Sequence, residues 1–288
     1  MDISFDPVSD ILGARVTGVG LKCSLTELEL ACLEDALEAY GFLVFPLQQD
    51  VTPAEQVAFS RRFGPLERVD IDSARMAELP EIFVVGNTGE ELVTFAPIDE
   101  DGELEWHTDH IHLAVPARAS LLLAREVPEV GGDTLFACMY TAYETLDEER
   151  RSQCDTLDVI NSVTGLNAYI KAQAFDAAHR GDIDEAAEPP AVWPLVRRHP
   201  RTGRKALYFG NQVSIGIVGW PDDEARTFVR NLTEHACQEA FCCRHRWREG
   251  DAVLWDNRRV LHAGTPYDTR KERREMHRTT IRETTPVR

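Results

Sequence analysis

Ser120-Leu121-Leu122-Leu123-Ala124, then Gly131-Gly132-Asp133, then Thr134-Leu135-Phe136-Ala137 decide how this chain folds. An apolar run short enough to be a strand is followed by a turn signal and a second such run. The same punctuation recurs downstream. Pro194-Leu195-Val196, Ala206-Leu207-Tyr208-Phe209, Ala252-Val253-Leu254-Trp255 and Met276 to Ile281 are apolar runs, with turns at Arg201-Thr202-Gly203 and Glu249-Gly250-Asp251. Short strands in this pattern predict a mainly β protein with a double-sheet, jelly-roll (double-stranded β-helix) core. Helical inserts are expected near 168–179 and 222–239. Regular βαβ alternation and a Gly-rich dinucleotide loop are missing, which argues against a Rossmann fold.

Upstream, Leu25 to Tyr40 has apolar residues at helical spacing, with Ser24 as N-cap and Glu27 completing a capping box. Gly41 stops that helix, and Phe42-Leu43-Val44-Phe45 reads as a buried strand ended by Pro46. Thr52-Pro53-Ala54-Glu55 opens a second helix, with proline in its first turn. From about 68 to 105 periodicity fades and Asp, Glu, Pro and Gly are frequent. Just before the histidine motif described next, such a segment reads either as a mobile lid or as a solvated loop. No internal repeat or low-complexity linker divides the chain, so residues 1–288 are expected to form one domain.

Glu105-Trp106-His107-Thr108-Asp109-His110-Ile111-His112 carries the chemistry. On an extended strand, residues i and i+2 share a face, so His107 and Asp109 would present an imidazole and a carboxylate together. A distant histidine, His262 in Trp255-Asp256-Asn257-Arg258-Arg259-Val260-Leu261-His262, completes a two-histidine, one-carboxylate set. That set holds non-haem Fe(II) and leaves coordination positions open. On the same strand reading, His110 and His112 would point away from the metal. His199 and His245 read as exposed, His277 as packing, and Arg258, Arg259 and Arg273 as surface or ion-pairing residues. Trp106 and Trp255 read as core.

Bulk properties narrow the possibilities. The 288 residues are 43% hydrophobic and 8% aromatic, which suits a globular core. A net charge of −18 argues against a nucleic-acid partner. No long apolar run predicts a membrane span, and the N-terminus lacks the pattern of a secretory signal. Seven cysteines, an odd number without a CxxC pair, fit reduced thiols and a cytoplasmic protein.

Trp106-His107-Thr108-Asp109, Gly131-Gly132-Asp133-Thr134-Leu135-Phe136, Trp255-Asp256-Asn257-Arg258-x-x-Leu261-His262 and Arg273-Arg274-Glu275-Met276-His277-Arg278 occur in this order. Together they resemble the taurine dioxygenase / 2,4-dichlorophenoxyacetate dioxygenase family, Fe(II)- and 2-oxoglutarate-dependent oxygenases on a jelly-roll core. The likeness runs from Ala14-Arg15-Val16-Thr17-Gly18-Val19 to the last strand, and residues 193–282 look closest to the phenoxyacetate branch. It implies that His107, Asp109 and His262 bind iron, that Thr134 and Arg274 hold 2-oxoglutarate, and that Arg278 meets an anionic group of the substrate. It also implies O2 as cosubstrate, succinate and CO2 as products, and hydroxylation of a substrate C–H. Where the hydroxylated carbon bears an ether oxygen or sulfonate, that bond would then break. Arg274, Met276 and Arg278 would share one strand face, and a four-residue step of roughly 13 Å lets that face serve two anions.

The resemblance stops short of a substrate. Glu67-Arg68-Val69-Asp70-Ile71-Asp72 lacks the lysine of the phenoxyacetate enzymes near Asp72, and no histidine of the taurine type follows Phe63-Gly64. A small anionic or zwitterionic molecule is expected, aryloxyalkanoate-like or a sulfonate, with Asp70 or Asp72 as substrate contacts. An amino-acid-like or natural-product substrate is the alternative. A non-catalytic metal-binding jelly roll would have no use for Thr134 and Arg274. A zinc hydrolase is disfavoured by the absence of His-Glu-x-x-His. A homo-oligomer is expected.

Overall fold

The computed structural model describes residues 2–69, 74–88, 96, 102–172, 189–285 and 287. In chain order its elements begin with β1 (Ser4–Pro7), β2 (Ala14–Thr17), α1 (Glu27–Tyr40), β3 (Phe42–Phe45), α2 (Pro53–Ser60), β4 (Ile82–Gly86), β5 (Ala117–Glu126) and β6 (Thr134–Cys138). Next come α3 (Met139–Glu144), α4 (Glu148–Cys154), β7 (Asp158–Asn161), α5 (Val163–Ala172), β8 (Ala191–Pro194), β9 (Val196–Arg198) and β10 (Lys205–Leu207). The chain continues with β11 (Ser214–Ile217), α6 (Asp222–Ala236), β12 (Cys242–His245), β13 (Ala252–Asp256), β14 (Val260–Gly264) and β15 (Glu275–Arg282).

Seven strands form the major sheet in the order β1-β2-β3-β13-β5-β15-β4, and β12-β6-β14 form a minor sheet. Strand alternation gives the major sheet two apolar faces. Leu43, Phe45, Leu121, Leu123, Ala252 and Leu254 face one core, which α1 covers with Leu33 and Leu37. Phe42, Val44, Leu122, Ala124, Val253 and Trp255 face the other, where Phe136 and Leu261 of the minor sheet meet them. The run Leu121-Leu122-Leu123 is apolar throughout because both of its faces are buried. Between the two sheets, Phe42 and Phe136 stack with centroids 4.3 Å apart.

Several sequence expectations shift in detail. The first helix is capped by Thr26 and Glu29 rather than Ser24 and Glu27. Both pairs fit the capping-box pattern. The later one leaves Leu25 before the cap, buried in the same core that Leu30 packs against, as a hydrophobic staple does. The second helix opens at Thr52, as read, and Glu55 completes a capping box there. Segment 68–105 contains strand β4, which pairs along β15 from Ile82↔Thr279 to Gly86↔Glu275. Its Ile-Phe-Val-Val run is a strand signal in its own right. The parts of the expected lid at 70–73, 89–95 and 97–101 lie outside the described residues. Helices α3 and α4 had no counterpart in the sequence reading.

Candidate metal and cosubstrate site

His107 is not on a continuous strand. Its backbone makes an isolated antiparallel bridge to His262, the two amides donating to the opposite carbonyls at 3.0 and 2.8 Å. The chain then turns at Asp109 and His110, and His110 takes a left-handed conformation with φ 55°. The bridge brings the two imidazoles together, with ring centroids 4.1 Å apart. The turn brings Asp109 beside them: Oδ1 lies 3.9 Å from His107 Nε2, and Oδ2 lies 3.8 Å from His262 Nε2. One ligand atom from each of the three falls within 4.8 Å of the others. Neutral imidazole nitrogens and a carboxylate at that spacing fit one divalent ion bound at about 2 Å from each.

The supporting groups come from both sheets. Asp109 Oδ2 accepts from Ser120 Oγ of β5 at 2.7 Å, and Asn257 Nδ2 donates to that hydroxyl at 3.0 Å. Asn257 Oδ1 accepts from Trp255 Nε1 at 2.9 Å and from the Asp109 amide at 3.2 Å, so one side chain ties β13 to the Asp109 turn. His262 is wedged between Trp255 and Phe136, with centroids at 4.8 and 6.2 Å. Ligand carboxylates and imidazoles held this way keep their orientation for the metal.

Arg278 Nη1 donates to Asp109 Oδ1 at 2.6 Å. This differs from a side chain left free for substrate: part of the guanidinium is committed to the carboxylate. Burial would raise the Asp109 pKa, but Arg278 and then His262 and His107 outweigh it, so the carboxyl stays below its usual range. Burial lowers the His107 pKa, yet Glu105 and Asp109 more than reverse this and raise it to about 9. His262 has no such carboxylate at its outer nitrogen, and burial followed by the charge of His107 holds it well below the ordinary value. Burial and then Arg278 push His110 down to about 3, which keeps it neutral.

A cavity beside this cluster is lined by His107, His262, Thr134, Arg274, Arg278 and Tyr267. Arg274 sits just before β15, 7% exposed, with Nε unpartnered and no carboxylate within 4 Å among the described residues. The Tyr267 hydroxyl is likewise buried without a partner. Thr134 Oγ1 accepts from Trp247 Nε1 at 3.0 Å, which leaves the threonine hydrogen free to donate into the cavity. Gly132 is needed here: its φ is +65°, and a Cβ would stand 3.3 Å from Arg274 Cδ. A buried, uncompensated guanidinium with hydroxyls around it suits a ligand carboxylate.

The structure thus brings His107, Asp109, His262, Thr134, Arg274 and Arg278 together. Asp70 and Asp72, expected as substrate contacts, lie outside the described residues. Arg258 and Arg259 are buried at 4% and 3%, so the surface half of their reading fails, while the ion-pairing half holds for Arg258 with Asp256 at 2.6 Å. His199, just past β9, and His245, at the end of β12, are buried too, paired with Asp256 and Asp251. Ser120, Asn257, Trp247, Tyr267 and Glu105 were not singled out from sequence. Only Glu105, two residues before His107, carried a local signal; the others act through tertiary contacts.

Known proteins agree with this geometry. A 2,4-dichlorophenoxyacetate dioxygenase dependent on alpha-ketoglutarate, from Cupriavidus pinatubonensis, is 35% identical over 291 residues, covering 97% of this chain and 98% of its own. An (S)-phenoxypropionate/alpha-ketoglutarate-dioxygenase from Sphingobium herbicidovorans is 35% identical over 289 residues, covering 96% and 95%. The crystal structure of AAD-2 in complex with Mn(II) and N-oxalylglycine superposes with a TM-score of 0.79 at 30% identity, covering all of both chains. Jelly-roll dioxygenases of this kind need Fe(II), 2-oxoglutarate and O2. The match to the taurine catabolism dioxygenase TauD, TfdA family spans residues 4–280, and the chain belongs to that family as an Fe(II)- and 2-oxoglutarate-dependent dioxygenase.

Proposed function

We propose that His107, Asp109 and His262 hold the Fe(II), and that Thr134 and Arg274 hold the distal carboxylate of 2-oxoglutarate. The observation that carries this is the buried Arg274, which has no carboxylate within 4 Å among the described residues and faces the cavity that His107 and His262 also line. Bound there, Fe(II) with 2-oxoglutarate and O2 supplies the oxidant, and 2-oxoglutarate leaves as succinate and CO2. The chain's own groups set the geometry. Ser120 and Asn257 orient Asp109; Trp255 and Phe136 fix His262; Trp247 directs the Thr134 hydroxyl toward the cosubstrate. The apolar walls Val85, Leu122 and Trp255 exclude water from the reacting centre.

The substrate is a small organic anion, an aryloxyalkanoate-like carboxylate or a sulfonate, hydroxylated with cleavage of an ether or C–S bond where the carbon permits it. Two relatives named for phenoxyalkanoates support this class. The buried, unpartnered Arg278 Nε supports an anion close to the metal. Free thiols at all seven cysteines suit a cytoplasmic location, and no described helix is long and apolar enough to cross a membrane.

Anaerobic addition of Fe(II) and 2-oxoglutarate should produce a visible charge-transfer band, absent in His107→Ala. Admission of O2 should then release succinate, stimulated by one member of a panel of aryloxyacetates, phenoxypropionates and alkyl sulfonates. No band and no succinate would sink the reading.

A further inference from the structure

The two histidines of the site are not equivalent. His262 Nδ1 is buried with no hydrogen-bond partner among the described residues. His107 Nδ1 lies 2.6 Å from the carboxylate oxygen Oε2 of Glu105 and 2.9 Å from the Glu105 backbone carbonyl. The Glu105 side chain is 2% exposed, and among the described residues no lysine or arginine comes within 4 Å of its carboxylate. A carboxylate placed this deep costs several kcal/mol unless a positive charge compensates it. Among the described residues, the compensation within reach of it is the His107 ring and a cation bound beyond that ring.

Orientation alone does not require Glu105. The His107 backbone is already clamped to His262 by two hydrogen bonds, and the Glu105 carbonyl already accepts from Nδ1. What the side chain adds is negative charge. A carboxylate behind a metal-bound imidazole strengthens that nitrogen as a donor, and loss of such a partner typically lowers metal affinity 10- to 100-fold.

We infer that Glu105 is a positioning residue that acts through His107, making this histidine the stronger of the two imidazole donors and raising the affinity of the site for a divalent ion. The inference rests on the reading that His107 is a metal ligand.

The test is anaerobic titration of the full-length protein with Fe(II) alone, and with Co(II) followed by its d–d absorption. Three proteins are compared: wild type, Glu105→Gln and His107→Ala. Glutamine keeps the shape and a hydrogen-bond acceptor but removes the charge. We expect Glu105→Gln to bind both ions at least 10-fold more weakly, with an unchanged far-ultraviolet spectrum. Its Fe(II)/2-oxoglutarate charge-transfer band should shift to higher energy, as expected when a ligand donates less. His107→Ala should lose binding. Unchanged affinity and an unshifted band in Glu105→Gln, with His107→Ala still inactive in binding, would overturn the inference and leave the ligand assignment standing. Binding by His107→Ala equal to wild type would overturn both. Should Glu105→Gln fail to fold, Glu105→Met makes the same measurement with an apolar side chain, and wild-type affinity there would be equally fatal.

Discussion

Arg258 and Arg274 are both buried, and the protein treats them in opposite ways. Arg258 lies 4% exposed in a two-pronged contact with Asp256, Nε to Oδ1 at 2.8 Å and Nη2 to Oδ2 at 2.6 Å. Burial lowers its pKa, but the Asp256 charge outweighs this and the result is raised. Arg274 lies 7% exposed with no such carboxylate among the described residues, and there burial prevails and the pKa is lowered. The first arginine closes its own circuit and braces the turn that carries Asn257. The second is left open toward a cavity. A buried charge the chain satisfies is architecture; one it leaves unsatisfied is a request for a ligand, held at a cost in stability.

Paired substitutions can break this comparison. The largest effect is expected at the closed pair. Arg258→Met leaves Asp256 buried without its guanidinium, held by His199 alone among the described side chains, and should lose about 3–5 kcal/mol of unfolding free energy in urea. The pH dependence follows from the sign of the shift. The folded Asp256 pKa is well below its usual range, despite burial, because Arg258 and His199 hold the carboxylate. Its contribution is therefore present above the unfolded value of about 3.9 and lost as pH falls below it. The gap between wild type and Asp256→Asn should stay constant from pH 8 to about pH 5 and close further down.

At the open site the same chemical change should act on binding. Arg274→Met should weaken 2-oxoglutarate binding by about 2–5 kcal/mol, roughly 30-fold or more in dissociation constant, read from the anaerobic charge-transfer band. Unfolding of the ligand-free protein should be unaffected or become harder, since a poorly compensated charge is removed. A stability loss as large as that of Arg258→Met would erase the contrast. The smallest effect belongs to Thr134→Val, which deletes one neutral hydrogen bond to the cosubstrate together with the one accepted from Trp247. About 0.5–1.5 kcal/mol, a 2- to 12-fold weakening, is expected with no change in the metal-only titration.

How much of this could be read from sequence depended on range. Short apolar runs with turns between them disclosed β3, β5, β13 and β15 of the major sheet and β6 of the minor one, because a strand's burial pattern is written in consecutive residues; β1, β2, β12 and β14 were not among those runs. The Ile82–Gly86 strand was passed over because acidic and turn-forming residues around it masked a five-residue apolar run. Ser24 and Thr26 offered equivalent caps, and only the burial of Leu25 in the α1 core selected the second. His107, Asp109, His262, Thr134 and Arg274 were visible as motifs. The pairing of His107 with Asp109 was inferred from strand alternation and the rest from the ligand pattern and the family resemblance, whereas the structure uses a backbone bridge to His262 and a turn at His110.

The sequence by itself determined the β-rich class, the ligand types and the arginines available for anions, since these are properties of residues and of neighbours along the chain. Only the tertiary structure decided what each charged group is for. Arg258, Arg274 and Arg278 are alike in one dimension. Asp256, an open cavity and the carboxylate Asp109 set them apart, because a charge's energy depends on burial and on its neighbours in space.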